Sequence, residues 1–480
     1  MGSIRMSSGV LMHIPWLRRA GRQALTMATA VALLSAVPSM AQADASADLE
    51  VESHVLPIGT ATPSLEELQS EGGMERLRDI ARHAEPIAQL PHETVGPAAS
   101  YAQRAAQPSR TAPVESTASP TPMIAAPEPA RTMTLDECKK GLGSSKKFYF
   151  TSRFAACSGA SFVQTWLVNG RPSGMSMFNV RVVGTIAKNS RTINFKYYFT
   201  EMESTGTTEA PAMKIGTKGK IPNSWPSTVR YTRGGSMPGT KTFAELKVLR
   251  SFSETVNAKP GQGSQGSTDL IAAIYQPSIT ITPPPGANLT GDLKGDLFFL
   301  PPRWDAAKYL ANSTGGGNPD KRGAASFAYI GTLTYSAKAG AKERAVAQHI
   351  KTAFTKPQDT KPYMSAKKVP GQTPDTALHR TVNKTRKDDN RKAAVKQCKR
   401  YWGAGYTHGG TRECDEYPFA TTYEGAAEHD YDADAKKFNF SVKPIAEADN
   451  GAAGSLLLSF YAKNRVIDGM EDGFIVKIVS

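Results

Sequence analysis

The chain has 480 residues, with 58 Lys/Arg against 43 Asp/Glu and a formal net charge of +15, which leaves room for more than one folded domain. That basic excess points to a polyanionic partner, whether nucleic acid, an acidic glycan or a lipid surface. No apolar run reaches the ~20 residues that a membrane-spanning helix needs, which excludes an integral helical membrane protein.

The N-terminus reads as a secretory signal peptide over residues 1–43. Arg18, Arg19 and Arg22 precede an apolar run from Ala24 to Val37, and Ala41-Gln42-Ala43 supplies the small residues of a cleavage site. The expected product is an exported protein. The four cysteines suit that compartment. Pairing Cys138 with Cys157 and Cys398 with Cys414 joins nearest neighbours, one of three connectivities. The spacings do not favour a zinc site.

Residues 44–132 read as a disordered Pro/Ala-rich linker or propeptide, because composition from Pro91 to Pro129 cannot bury a core. One helical island interrupts it. Ser64-Leu65-Glu66-Glu67 is a capping sequence, and Leu65, Leu68, Met74, Leu77 and Ile80 recur at roughly helical spacing, broken by Gly72-Gly73.

Residues 133–337 predict a β-rich module, a sandwich or barrel. Ile193, Phe195, Tyr197 and Phe199 alternate with Asn194, Lys196 and Tyr198, as do Val180, Val182, Gly184 and Ile186 just before. Asn169-Gly170 between Phe162–Val168 and Met175–Ile186 is a hairpin signal. Further strands are expected at Ile271–Ile281, Leu297–Leu300 and Phe327–Tyr335. Trp166, Trp225 and Trp304 are read as core aromatics, with a wall- or sugar-binding surface as the competing reading.

Residues 338–480 change character. Ala341–Phe354 predicts a helix, Phe438–Val442 a strand, Asp449-Asn450-Gly451 the opening of a helix through Tyr461, and Gly473–Val479 a last strand. Residues 341–410 carry 16 Lys/Arg and 5 Asp/Glu, whereas 411–480 carry 7 and 13. A basic arm holds a polyanion through its phosphates. An acidic cluster beside it would repel that polyanion unless a hard cation such as Mg²⁺, Mn²⁺ or Ca²⁺ lies between them. Such a cation stabilises charge on a phosphoryl oxygen and lowers the pKa of attacking water, the chemistry of a metal-dependent phosphodiesterase.

The ordered run Asp415-Glu416-Tyr417-Pro418-Phe419-Ala420, Tyr423-Glu424-Gly425, Ala448-Asp449-Asn450-Gly451-Ala452-Ala453-Gly454-Ser455 and Gly473–Ile478 resembles the NucA/NucB family of secreted bacterial deoxyribonucleases. The resemblance, strongest to actinobacterial members, covers about 341–480, and the helix around Ala347–Lys351 is similar to the family's early helix. It implies a small α+β, ββα-metal-like nuclease domain at 338–480, using one divalent metal, Mg²⁺ or Mn²⁺ (Ca²⁺ as a third candidate), on DNA with little sequence preference. Carried over by residue, it implies Asp415 as general base with Glu416 beside it, and Glu424 and Asn450 as metal ligands. His408 is a competing base. Arg412 and Arg465 are candidates for phosphate contact, Arg465 being equally able to pair with Asp468. Lys384, Arg386, Lys387, Arg391 and Lys392 form the candidate DNA-gripping arm. At Gly425-Ala426 the chain has one glycine where bacillus-type members have two. The expected whole is a multi-domain secreted DNase. The rivals are a non-catalytic wall- or DNA-binding protein with a decayed nuclease domain, or an antibacterial nuclease toxin whose partners would include an immunity or inhibitor protein.

Overall fold

The computed structural model describes residues 48–85, 87, 124–143, 148–263, 268–313 and 318–480. The expected signal peptide, 1–43, and most of Pro91–Pro129 lie outside these residues.

The β-rich module is built on one large sheet. Its central strands are β1 (Leu49–Leu56), β2 (Ala155–Val168), β3 (Arg171–Ile186), β4 (Thr192–Gly206) and β5 (Ser251–Ala258). They lie in that order, with Ala287–Gly291 beyond β1 and Tyr231–Gly235 beyond β5. Asn169 and Gly170 both take positive φ between β2 and β3, the turn chemistry that Asn-Gly supplies. The inward face of β4 is Ile193, Phe195, Tyr197 and Phe199, all at most 2% exposed. Two four-stranded sheets share the core with this face, contributing Ile215, Ile279, Ile271 and Trp304. Phe195 stacks on Tyr275 with ring centroids 3.6 Å apart.

Several expectations change. Leu49–Leu56, placed in the linker, is an interior strand, because alternate side chains such as Val51 enter the core while its backbone pairs on both sides. Leu297–Leu300 is buried but not a strand, since the chain there fills the core without a ladder partner. Trp166 and Trp304 are fully buried, with their indole N–H groups donating to Ser176 and to the Arg191 carbonyl, so of these three tryptophans Trp225 alone presents a surface. The Ser64 capping box forms, and the helical island becomes two short helices, Leu65–Gln69 and Gly73–His83. Both disulfides, Cys138–Cys157 and Cys398–Cys414, join the nearest-neighbour pairs.

The C-terminal domain begins with β6 (Gly331–Ser336), which runs parallel to the last strand, β10 (Gly473–Val479), while β7 (Leu378–His379) flanks β10 on the other side. Between them come α1 (Arg344–Thr355), α2 (Lys384–Trp402), the hairpin β8 (Arg412–Tyr417) and β9 (Ser441–Ala446), and α3 (Glu447–Lys463). The hairpin is packed on both faces. Leu333, Ile350, Tyr417, Ile445, Leu456 and Phe474 belong to a core on the α1/α3 side. On the α2 side, Ala394, Cys398, Cys414, Phe440 and Val442 form a second, smaller core around the disulfide. Gly371 sits at φ +101, where any Cβ would meet the Tyr417 hydroxyl.

The two modules form one compact unit, joined by buried ion pairs. Arg153 and Arg303 of the β-rich module both engage Asp472. Arg465 forks onto Asp305 through Nε at 2.9 Å and Nη2 at 2.6 Å. Burial and the neighbouring Arg303 push Arg153 down to about 10. Burial alone would raise Asp472, but the two guanidinium charges outweigh it and hold the carboxyl below its ordinary value. Among the described residues no helix is long and apolar enough to cross a membrane.

Candidate active site

β8, β9 and α3 follow one another as strand, strand and helix, and the alternation of β8 sorts its acidic residues. Glu413 and Asp415 face α1 and α3, and Cys414 and Glu416 face α2. Each carboxylate therefore meets different partners.

Asp415 is only 6% exposed. Its Oδ2 lies 2.6 Å from Nδ1 of His349 on α1, and Nε2 of the same ring lies 2.6 Å from Ser441 Oγ on β9. Asp415, expected as the base that activates water, is the inner end of a buried Asp–His–Ser chain. His349 was not singled out from the sequence. Its signal was a lone polar side chain on the apolar stripe of Val346, Ile350 and Ala353.

Glu416 is part-buried on the opposite face. Burial pushes its carboxyl up to about 8; Asp415 and Glu413 add to this, and Arg391 opposes it. It is a carboxyl largely protonated at neutral pH and is separated from Asp415 by the strand itself.

Glu424, expected as a metal ligand, is 8% exposed and fully engaged. Oε2 accepts the His379 backbone N–H at 2.9 Å, and Oε1 lies 2.7 Å from His379 Nδ1. Burial alone would lower His379, but the charge and hydrogen bond of Glu424 raise it above the ordinary histidine range. The loop carrying Glu424 is fixed by Asn390 of α2. Its amide donates to the carbonyls of Ala420 and Thr422 and accepts from the Ala427 N–H. A Cβ at Gly425 would lie 2.3 Å from that amide, so this glycine is required for close approach. Ala426 packs in the smaller core without obstruction.

Asn450 lies in the first turn of α3 rather than at its cap; the helix already begins at Glu447. Its Nδ2 donates to Glu413 Oε2 at 2.6 Å. The two expected metal ligands thus have different partners, Asn450 with Glu413 and Glu424 with His379. Glu413 is exposed and Asn450 half-exposed. Together they place a carboxylate and an amide on the open rim of the strand–strand–helix unit. Counting back two positions from Asp415 on an alternating strand would have found Glu413.

The remaining candidates divide. His408 is on an exposed loop at φ 46. Arg465 is 3% exposed, with Nη1 donating to the Ala311 carbonyl in addition to the Asp305 fork, so it is closed to a phosphate and does not pair with Asp468. Arg386 donates to the Tyr423 carbonyl and stacks over Tyr423 and Tyr431, which makes it a strut rather than a grip. Arg391, Lys392 and Arg412 are exposed, Lys387 is part-buried, and Lys384 is exposed beside Asp388. Among the described residues no three His, Cys, Asp or Glu side chains gather as a metal cage.

With this geometry in place, the comparison with known families decides the domain's class. Residues 365–476 match the family model Deoxyribonuclease NucA/NucB. The match covers the C-terminal region only, and it spans α2, the β8–β9 hairpin, α3 and most of β10. No curated protein and no solved structure matches the chain. The NucA/NucB region contains Glu413, Asn450 and the Asp415–His349–Ser441 chain except for His349, which α1 supplies from outside it. DNA is the substrate that a deoxyribonuclease domain implies.

Proposed function

We propose that the protein is an exported, divalent-metal-dependent endonuclease that hydrolyses DNA backbones with little sequence preference. The observation that carries this reading is the exposed Glu413–Asn450 pair on the strand–strand–helix unit of the NucA/NucB region. Glu413 is the proton acceptor for the attacking water, because it is the β8 carboxylate open to solvent on the α3 side. Asp415 positions the strand from below through His349. Asn450, whose Nδ2 is held by Glu413, would bind the cation through its amide oxygen. A hard oxygen donor suits Mg²⁺ or Mn²⁺, which complete their shells with water and phosphate oxygens. When bound, that cation supplies charge stabilisation at the phosphoryl oxygens. The exposed cations of α2 and Arg412 grip phosphates on either side without reading bases.

The test is supercoiled plasmid incubated with the full chain, in Mg²⁺ or Mn²⁺ and in EDTA. Nicking that EDTA abolishes is expected. Absence of nicking in both metals, from a folded protein, overturns the enzymatic reading.

A further inference from the structure

α2 has a second exposed side, which carries Lys392 and Lys396. There it borders a cleft of about 360 Å³ together with the 426–440 segment. One wall is aromatic: Phe438 and Phe440 meet edge to face with centroids 6.5 Å apart. Three exposed lysines, Lys392, Lys396 and Lys437, stand around it. Gln397 also lines the cleft. It is 7% exposed, and its Oε1 is buried with no hydrogen-bond donor among the described residues. An acceptor left unpaired in this way is costly, and a ligand that donates to it recovers that cost.

These features restrict the ligand. Inorganic anions would be drawn by the lysines, and hydrogen phosphate could donate to Gln397, but none has a flat apolar face for the aromatic wall. An amine could donate, but three lysines repel it. A flat donor-bearing ring attached to an anionic group satisfies all three walls. Of the two carboxylates in the lining, Asp389 already accepts from the Tyr431 hydroxyl at 2.7 Å and pairs with Lys392, and Asp430 is exposed at the rim. His429 is oriented by its Nδ1 at 2.7 Å from the Ala435 carbonyl.

We infer that this cleft binds a nucleobase of single-stranded DNA, with the base against Phe438, which the buried Phe440 backs, its exocyclic amino group donating to Gln397 Oε1, and its phosphates among Lys392, Lys396 and Lys437. Aromatic stacking and a cationic track are how single strands are held without a duplex. The inference rests on the DNA reading of the domain and extends it from a backbone grip to a base subsite. A nuclease built this way retains an unpaired end or a product strand beside its catalytic hairpin.

The test uses the full chain in EDTA, so that binding is measured without cleavage. Fluorescence anisotropy compares an oligo-dC strand with an abasic strand of equal length. Oligo-dC is expected to bind more tightly. Phe438→Ala and Gln397→Leu should each reduce the affinity for oligo-dC by roughly three- to tenfold, leaving the abasic strand unchanged. The double variant Lys396→Ser/Lys437→Ser, at exposed positions, should weaken both strands. Equal affinities for the two strands, a preference for oligo-dC that survives Phe438→Ala, or a lysine variant that binds both strands as the wild type does, overturns the proposal. Should Gln397→Leu fail to fold, Phe438→Ala and the lysine pair decide the matter alone. Plasmid nicking is scored separately. A chain that prefers oligo-dC but nicks nothing loses the catalytic reading and keeps the cleft, and a chain that nicks but shows no preference does the reverse.

Discussion

Arg465 of the nuclease domain and Asp305 of the β-rich module form a two-pronged ion pair in which both side chains are almost completely excluded from water. Arg465, a candidate for phosphate contact in the sequence, therefore lies in the joint between modules. Lys463 donates to the Ala126 carbonyl, and the Asp468 N–H donates to the Tyr309 hydroxyl. Removing one member of a buried pair strands the other charge. Asp305→Ala is expected to cost about 3–5 kcal/mol of stability. Chemical denaturation of the full chain measures this, and a loss below 1 kcal/mol would mean that the interface is not held as described. Arg465→Lys should restore little, because a point charge cannot reproduce the fork.

Glu413 and Asn450 give the opposite signature. Both are at least part-exposed, so Glu413→Gln and Asn450→Ala should each change stability by less than about 0.5 kcal/mol. If Glu413 takes the proton from water, its loss should lower plasmid nicking by roughly 10²–10⁴-fold. Asp415→Asn should instead destabilise the fold, since it disturbs a buried hydrogen-bonded chain. Retained nicking by Glu413→Gln, with loss in a stably folded Asp415→Asn, would return the role of base to Asp415.

This division marks what the sequence could show. Local rules were legible: the Asn169-Gly170 turn, the alternation through Phe199, the last strand and the two disulfides. The turn and the strands depend on neighbours within a few residues, and the disulfide partners are only 19 and 16 residues apart. The role of Arg465 was not legible, because its partner is 160 positions away and nothing local marks the pairing. His349 was hidden for the same reason, with Asp415 66 positions distant. Leu49–Leu56 was masked by its flanks, whose composition reads as linker although the strand itself has the alternation of a sheet interior. The proposed base lies one pleat from the motif's Asp415, at Glu413, because a motif names residues but only the fold shows which of them meets solvent.

Two groups predict how stability varies with pH, and both act in the same direction. His379 is raised above its ordinary value of 6.5 by Glu424, so its contribution is fully present below pH 6.5 and is lost as pH rises through the raised value. Glu416 is raised from 4.5 to about 8, so its contribution is complete below 4.5 and disappears as pH climbs through 8. The chain should therefore be more stable at pH 6 than at pH 9. Glu416→Gln should remove roughly 1–2 kcal/mol of that difference, a figure reduced for its part exposure. His379→Gln should flatten only the portion above pH 6.5. Denaturation midpoints measured across this range test both, and a wild-type curve that rises toward pH 9 would refute the assignment.

The α2 arm makes a prediction in salt. Arg391 and Arg412 are exposed and Lys387 is part-buried, whereas Arg386 is held by Tyr423 and Tyr431. Each phosphate contact contributes about 0.9 to the slope of log affinity against log salt for duplex DNA. Replacing Lys387 and Arg391 by serine should then reduce that slope by about 1.8 if both meet phosphate. Arg386→Ser should act differently. It removes a hydrogen bond and two stacked contacts, so its main effect is expected on stability, on the order of 1–2 kcal/mol, with little change in slope. Duplex binding in EDTA at several salt concentrations separates the two cases. If the Lys387/Arg391 variant keeps the wild-type slope, α2 is not the grip, and the charge asymmetry between 341–410 and 411–480 would need another explanation.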